Sequence, residues 1–210
     1  MYDRRIKEKT LTFAVSGMLW EHSLVLIDNE TESLWSQLLG EAMRGKLVGE
    51  KLTVIPSLIT DWKSWRTQHP ETTAMLISRT ANAYRRQSIP SDEPLLIGLT
   101  IKGKSRAWFL KDLQAPVALN DQLADLPLLV VQDAQGTVAI YGRSLDEHVL
   151  KFQFQENKLT DLKTHSTWDP LTGKAISGSM KGRQLKLLPG ILSFAHAWKT
   201  FHPQSEYWNR

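Results

Sequence analysis

The 210-residue chain contains no cysteine. Disulfides, thiolate metal sites and a cysteine nucleophile are therefore excluded within it, and the absence fits either redox compartment. No apolar run approaches the roughly 20 residues that cross a bilayer, so no membrane span is expected. There is no H-E-x-x-H, and His196 and His202 stand too far apart to chelate from one helical face; no metal or cofactor is expected. A G-x-S-x-G elbow is also absent, which leaves serine hydrolase chemistry without support. Basic charge is not concentrated: the net charge is +4, and adjacent arginines occur only as the pairs 4–5 and 85–86. Nucleic-acid binders usually carry a clustered basic stripe or a known module, so no nucleic-acid partner is expected. The start, MYDRRIKEKT, is charged and lacks the apolar core of a signal peptide. As written, it reads as cytoplasmic.

What the chain does have is an internal duplication. Residues 31–70 return as residues 164–203 at a constant offset of 133, and fourteen of the forty aligned positions are identical. Thr31/Thr164, Ser33/Ser166, Trp35/Trp168, Gly40/Gly173, Gly45/Gly178, Gly49/Gly182 and Trp65/Trp198 are among them. A period this long means two copies of one structural unit. Residues 2–13 align with 141–152 at an offset of 139, so the first copy carries about six extra residues near 16–23. Residues 94–140 have no counterpart ahead of Tyr2, and the first copy reads as lacking its front half. The expected division is 1–78 for the first repeat, 79–93 for a polar linker and 94–210 for the complete second repeat, in one compact domain overall.

Local patterns predict short strands. Residues 2–13 and 141–152 read as hairpins, 23–28 as a buried strand, and 51–55 and 184–188 as strands stopped by Pro56 and Pro189. Residues 95–110 predict a hairpin turning at Lys102-Gly103, and 127–131 and 138–141 predict two strands joined at Gly136. A helix closes each copy, because Leu58, Trp62, Trp65 and Phe194, Trp198, Phe201 fall at i, i+4, i+7. Ser57 or Thr60 and Ser193 are the expected N-caps, with Asp61 in the first turn. Each helix should end at the histidine before a proline, His69 or His202. The spacing of Trp62 and Trp65 favours core positions for both. The fold class is α+β, mainly short antiparallel strands with a few helices, the two repeats related by a pseudo-twofold.

Three patterns bear on chemistry. Gly40 to Lys46 matches the opening of a phosphate loop, but Leu47 stands where Mg²⁺ needs a hydroxyl, and the second copy loses the lysine, so a glycine-bent turn is the better reading. The repeated Ser-x-Trp (Ser33, Trp35, Ser166, Trp168) sets a hydroxyl beside an indole. It suits a polar-plus-aromatic ligand contact, although a core tryptophan beside a turn serine is the favoured reading. Arg143, with Arg4 at the matching place, suits an anion or an internal carboxylate such as Asp28, the internal pair being favoured. Ser33, Trp35, Arg143, Ser166 and Trp168 are thus the candidate ligand-binding residues. No catalytic constellation is evident, so the chain is more simply a non-enzymatic module than an enzyme.

Residues 13–52, FAVSGMLWEHSLVLIDNETESLWSQLLGEAMRGKLVGEKL, closely resemble a signature of the uncharacterised prokaryotic family called domain of unknown function 3179. TWDPLTGKAISGSMKGRQL with AWKTFHP resembles its second repeat, and IGLTIKGKSRAWFL with NDQLADLPLLVVQDA resembles its middle. The resemblance covers nearly the whole chain. It implies sequence ahead of Met1 that holds a Cys-Pro-x-Cys-Gly stretch, often with an export signal, and hence a periplasmic or exported home where that segment is present. It carries no established activity. Two functional expectations follow: a non-enzymatic binding or scaffold module using a cleft between the copies near Trp35 and Trp168, or a fragment of a redox or metal-binding enzyme whose cysteines lie upstream. The partner is an unknown small ligand or protein, and a homodimer through the incomplete first repeat is a further expectation.

Overall fold

Short apolar runs, each cut by a glycine or a charged turn, fold here into antiparallel strands. The computed structural model describes residues 1–21, 23–74 and 93–209. Most of the expected linker, 79–93, lies outside the described residues.

In the first repeat, β1 (Arg5–Ile6) and β2 (Lys9–Thr10) form the charged hairpin. The chain continues into a four-stranded antiparallel sheet of β3 (Phe13–Trp20), β4 (Ser23–Asp28), β5 (Leu34–Ser36) and β6 (Glu41–Arg44). The extra residues of this copy lengthen β3 and β4 into an arm that bulges between Val15 and Leu19. At its tip Trp20 meets Phe201 edge-on, with ring centroids 4.7 Å apart. The strand expected over 51–55 is reduced to single bridges, Glu41 with Lys51 and Tyr2 with Val54. Helix α1 (Trp62–Gln68) follows, capped by Asp61, whose carboxylate accepts from the Lys63 and Ser64 amides. The cap is therefore Asp61 itself and not Ser57 or Thr60, because an ionised carboxylate both accepts the free amides and suits the helix dipole.

The second repeat begins with the predicted hairpin, β7 (Leu95–Ile101) and β8 (Lys104–Phe109), turning through Lys102 and Gly103, both with positive φ. A single helical turn, α2 (Leu110–Leu113), leads to β9 (Val117–Leu123), β10 (Leu126–Gln132) and β11 (Val138–Gly142). The strand at 117–123 is not announced by the sequence, because Asn120 and Asp121 interrupt the apolar pattern. Those two side chains are useful there: Asn120 exchanges hydrogen bonds with the Phe152 backbone, and Asp121 accepts from Trp108 and Arg106.

The continuous run PLLVV has a simple cause. Leu128 and Val130 enter one apolar cluster with Ile97, Trp108 and Ile140, while Leu129 and Val131 enter another with Tyr141, Phe152 and Trp168. A strand covered on both faces has no polar side to show.

From there the second copy repeats the first: β12 (Ser144–Leu145), β13 (His148–Val149), β14 (Phe152–Gln155), β15 (Lys158–Asp161) and β16 (Thr167–Trp168). Next, β17 (Lys186–Leu187) adds to β11, and β18 (Ile191–Phe194) adds to β7. Strand β18 runs directly into α3 (Ala195–Phe201), so Phe194 occupies the N-cap without a side-chain bond, and Ser193 does not cap. A last strand, β19 (Glu206–Tyr207), lies parallel to β8. Both helices end as expected, His69 and His202 donating their amides to the carbonyls of Trp65 and Trp198. The described residues are thus mostly antiparallel sheet with three short helices. Among them no helix is long and apolar enough to cross a membrane.

The copies are joined by a two-way backbone bridge between Ile59 and Val138, with N···O distances of 3.2 and 2.8 Å. Leu58 packs beside it against the second repeat's core.

Candidate functional site

Each copy contains the same clasp, written in sequence as Asp-x2-Thr-x-Ser-x-Trp. In the second copy Trp168 Nε1 donates to Asp161 Oδ2 at 3.0 Å, the Thr164 amide donates to Oδ1 at 2.6 Å, and the Thr164 hydroxyl donates to Oδ2 at 2.7 Å. Ser166 Oγ lies 2.7 Å from Thr164 Oγ1 and accepts from the Met180 amide at 3.1 Å. In the first copy Asp28 takes the indole N–H of Trp35 at 2.8 Å and the Thr31 amide at 2.6 Å, and Ser33 Oγ accepts from the Leu47 amide at 3.1 Å. Burial alone would raise both carboxyls. The donors outweigh it, led by Trp35 and Thr31 on Asp28 and by Trp168 and Thr164 on Asp161, and both are held below the ordinary carboxylate range.

The glycines of the repeat belong to this clasp. A Cβ on Gly45 would lie 2.7 Å from Ser33 Cα, and one on Gly178 would lie 2.7 Å from Ser166 Cα. Both glycines also have positive φ, so a side chain is excluded twice over. The 40–46 segment is accordingly the short strand β6 and its closing turn.

Trp35 and Trp168 are sealed in. Each is at most 1% exposed, and each meets a phenyl ring edge-on, Phe13 at 5.5 Å and Phe152 at 5.6 Å. Ser33 and Ser166 are fully buried. The expected stacking of a ligand on these indoles has no open ring face to use. The polar atoms of Ser33, Trp35, Ser166 and Trp168 are engaged within each copy, the arrangement of a core tryptophan beside a turn serine.

Arg143 also turns inward, but to carbonyls: Nη1 donates to Leu150 O at 3.0 Å and Nε to Leu128 O at 3.1 Å. Burial pulls its guanidinium below its ordinary value, and the nearby Asp121 charge opposes this. Arg4 makes the equivalent bond to Leu11 O at 3.5 Å. Asp28, the carboxylate proposed for it, is held by Trp35 instead. Tyr2 and Tyr141 pack on Gly40 and Gly173 and donate to Leu38 O and Leu171 O. Burial pushes Tyr2 up to about 12 and raises Tyr141 further.

Polar groups outside the two clasps converge elsewhere. A cleft of ≈ 430 Å³ opens where α1 meets the second repeat. The first copy contributes Asp61, Lys63, Ser64, Thr67 and Gln68. Across from them stand Asp133, Gln135 and Thr137 of the β10–β11 turn, and Asp169, Pro170 and Leu171 just after Trp168. Gln68 Nε2 spans the gap to Asp169 Oδ2 at 2.9 Å. One oxygen of each aspartate braces the local backbone: Asp133 Oδ1 takes the Gln135 and Thr137 amides, and Asp169 Oδ1 those of Leu171 and Thr172. Donation by the Ser64 hydroxyl, foremost, lowers Asp61. Among the described residues no three His, Asp or Glu side chains are grouped to hold a metal ion.

Fold and site define a class: a duplicated, mainly antiparallel β-protein with a buried Asp–Trp clasp in each copy and a polar cleft between them. The chain belongs to the family described as Protein of unknown function (DUF3179), which matches residues 1–91 and 85–205, two adjacent stretches that fit the internal repeat. No curated protein and no solved structure matches the chain.

Proposed function

We propose that this protein is a non-enzymatic binding or scaffold module whose two copies are related by a pseudo-twofold and whose ligand seat is the cleft between them. The supporting observation is the convergence there of Gln68, Asp133, Gln135, Thr137 and Asp169 from three distant stretches of chain, across a ≈ 430 Å³ opening. Carboxylates outnumber the one lysine, and hydroxyls and amides fill the remaining positions, so the ligand is a small molecule rich in hydroxyl or amine donors. Pro170 and Leu171 supply its apolar contact. Ser166 and Trp168 enter this reading as positioning residues, since the clasp fixes the backbone that leads straight into Asp169. Ser33, Trp35 and Arg143 brace the two copies in the same manner.

The test is an NMR titration of the intact chain with a panel of small polyols, sugars and polyamines. At least one compound should shift the Gln68, Gln135 and Thr137 resonances saturably and be recovered unchanged. Gln135→Trp, which fills the cleft, should abolish the effect. A panel that moves other surfaces and leaves these three groups still would overturn the assignment.

A further inference from the structure

Helix α1 turns polar residues to the cleft: Asp61, Ser64 and Gln68 stand at i, i+3 and i+7, and all three line the opening. The helix buries no residue, and its Trp62 is 51% exposed, which overturns the core position expected for Trp62. Trp198 of α3 is by contrast fully buried, its ring set against Gly98 of β7. At the base of the cleft Thr60 Oγ1 lies 3.1 Å from Thr137 Oγ1, beside the Ile59–Val138 bridge. The two walls are tied together there.

The carboxylates of this cleft are not equally satisfied. Asp61 gives Oδ1 to the Lys63 and Ser64 amides and Oδ2 to the Ser64 hydroxyl. Asp169 gives Oδ1 to the Leu171 and Thr172 amides and Oδ2 to Gln68 Nε2. Asp133 gives Oδ1 to the Gln135 and Thr137 amides, at 3.0 and 2.8 Å, and among the described residues its Oδ2 has no donor. It is also the most enclosed of the three, only 8% exposed. A carboxylate this enclosed, with one oxygen lacking a donor, is costly until a donor reaches it.

Charge selects the kind of donor. The lining holds three carboxylates and one lysine, on a chain of net charge +4. The cleft is therefore a negative spot on a positive protein, and it concentrates cations. A metal ion would require several further oxygens, and Ser64 and Gln68 already occupy those of Asp61 and Asp169. An ammonium group carries three N–H donors and needs one charged oxygen with neutral acceptors beside it.

We propose, resting on the reading of this cleft as the ligand seat, that its ligand is a small primary amine held as the ammonium cation by Asp133 Oδ2. Gln135 offers a neutral acceptor beside it, and Pro170 and Leu171 receive the carbon chain. Asp133 thus does two separable things: Oδ1 folds the turn and Oδ2 reads the ligand. A neutral polyol can donate to the same oxygen but leaves its charge uncompensated.

The experiment titrates the full chain with cadaverine and, separately, with 1,5-pentanediol, which has the same carbon chain and hydroxyls in place of the ammonium groups. Cadaverine should shift the Gln68, Gln135 and Thr137 NMR resonances saturably and bind at least about tenfold more tightly than the diol. Asp133→Asn keeps Oδ1 for the two turn amides and removes the charge, so it should erase that preference. Gln135→Lys changes an exposed side chain, leaves the turn amides in place and brings a tethered ammonium to Asp133; it should block cadaverine in the same way and decides the matter if the first variant does not fold. Equal binding of the two probes at these resonances, or cadaverine bound undiminished by either folded variant, would overturn the amine assignment and leave the cleft as the ligand seat. A lysine-containing peptide that binds there at least about tenfold more tightly than cadaverine would overturn the assignment to a free amine and give the ammonium to a protein partner. If neither these probes nor any sugar or polyol moves the three resonances, the cleft reading itself falls, and this inference with it.

Discussion

Replacing Asp161 by asparagine tests the clasp most directly. The carboxylate is fully buried and takes four donors, the Trp168 indole, the Thr164 amide and hydroxyl, and the Lys163 amide at 3.1 Å. Asparagine keeps Oδ1, which satisfies the two backbone amides. Its NH₂ group then faces the indole N–H and the Thr164 hydroxyl. The hydroxyl can rotate to accept, but the indole cannot, so one charge-assisted bond is lost and one buried donor is stranded. A hydrogen bond to a charged group contributes about 1.5–3 kcal/mol, and that is the expected loss. In a chain of about this size each kcal/mol moves the Tm by about 2–4 °C, so a fall of about 3–12 °C is expected by calorimetry.

The acid limb gives an independent reading. Because the folded carboxyl sits below its unfolded value, its contribution is complete above the ordinary carboxylate range and is lost as pH falls through the depressed folded value. Wild type should therefore lose stability on acidification below about pH 4 more steeply than the Asn variant. A cycle with Trp168→Phe should return a coupling of about 1 kcal/mol or more. An Asp161→Asn protein within about 0.5 kcal/mol of wild type, with an unchanged acid limb, would refute the argument.

Three further outcomes follow from the same geometry. Trp198→Ala should cost about 3–5 kcal/mol in urea unfolding and Trp62→Ala no more than about 0.5, because only the first is enclosed. Gly98→Ala should cost about 1–3 kcal/mol, since the new methyl group meets the Trp198 ring, and a double variant with Trp198→Leu should recover part of it. Burial pushes His202 below its ordinary value, so the unfolded chain binds the proton more readily and stability falls as pH drops below about 6.5. His202→Asn should flatten the Tm profile between about pH 7 and 5.

Much of this fold is readable in the one-letter sequence because the duplication supplies its own control. Identities at Gly40, Gly45 and Trp35 in both copies mark positions where the backbone admits no substitute or the core no smaller ring. The hairpin at Lys102-Gly103 and the helix stops at His69 and His202 follow from local stereochemistry alone. Asp28 and Asp161 stand out less, although they share the same offset of 133. They lie three residues ahead of the aligned block, and an aspartate before a turn has an ordinary local explanation. The cleft leaves even less trace. Asp61 reads as an acid of the first helical turn, and Asp133 and Asp169 sit in ordinary turn sequences, and each braces its own backbone. Only the tertiary fold brings their remaining atoms together, and no pattern within any one segment announces it.

The arm of β3 and β4 has a consequence for assembly. Two like halves in one chain invite exchange, since each could close upon the corresponding half of another molecule. The arm exists on one copy only, and the ring it meets is Phe201 of α3. The counterpart of Phe201 on α1 is Gln68, which already reaches Asp169. Trp20 therefore finds an aromatic seat at Phe201 on the second copy's helix and none at the matching place on the first's. A few added residues have made the halves distinguishable, so that first-with-second is favoured over first-with-first while each chain is still choosing its partner.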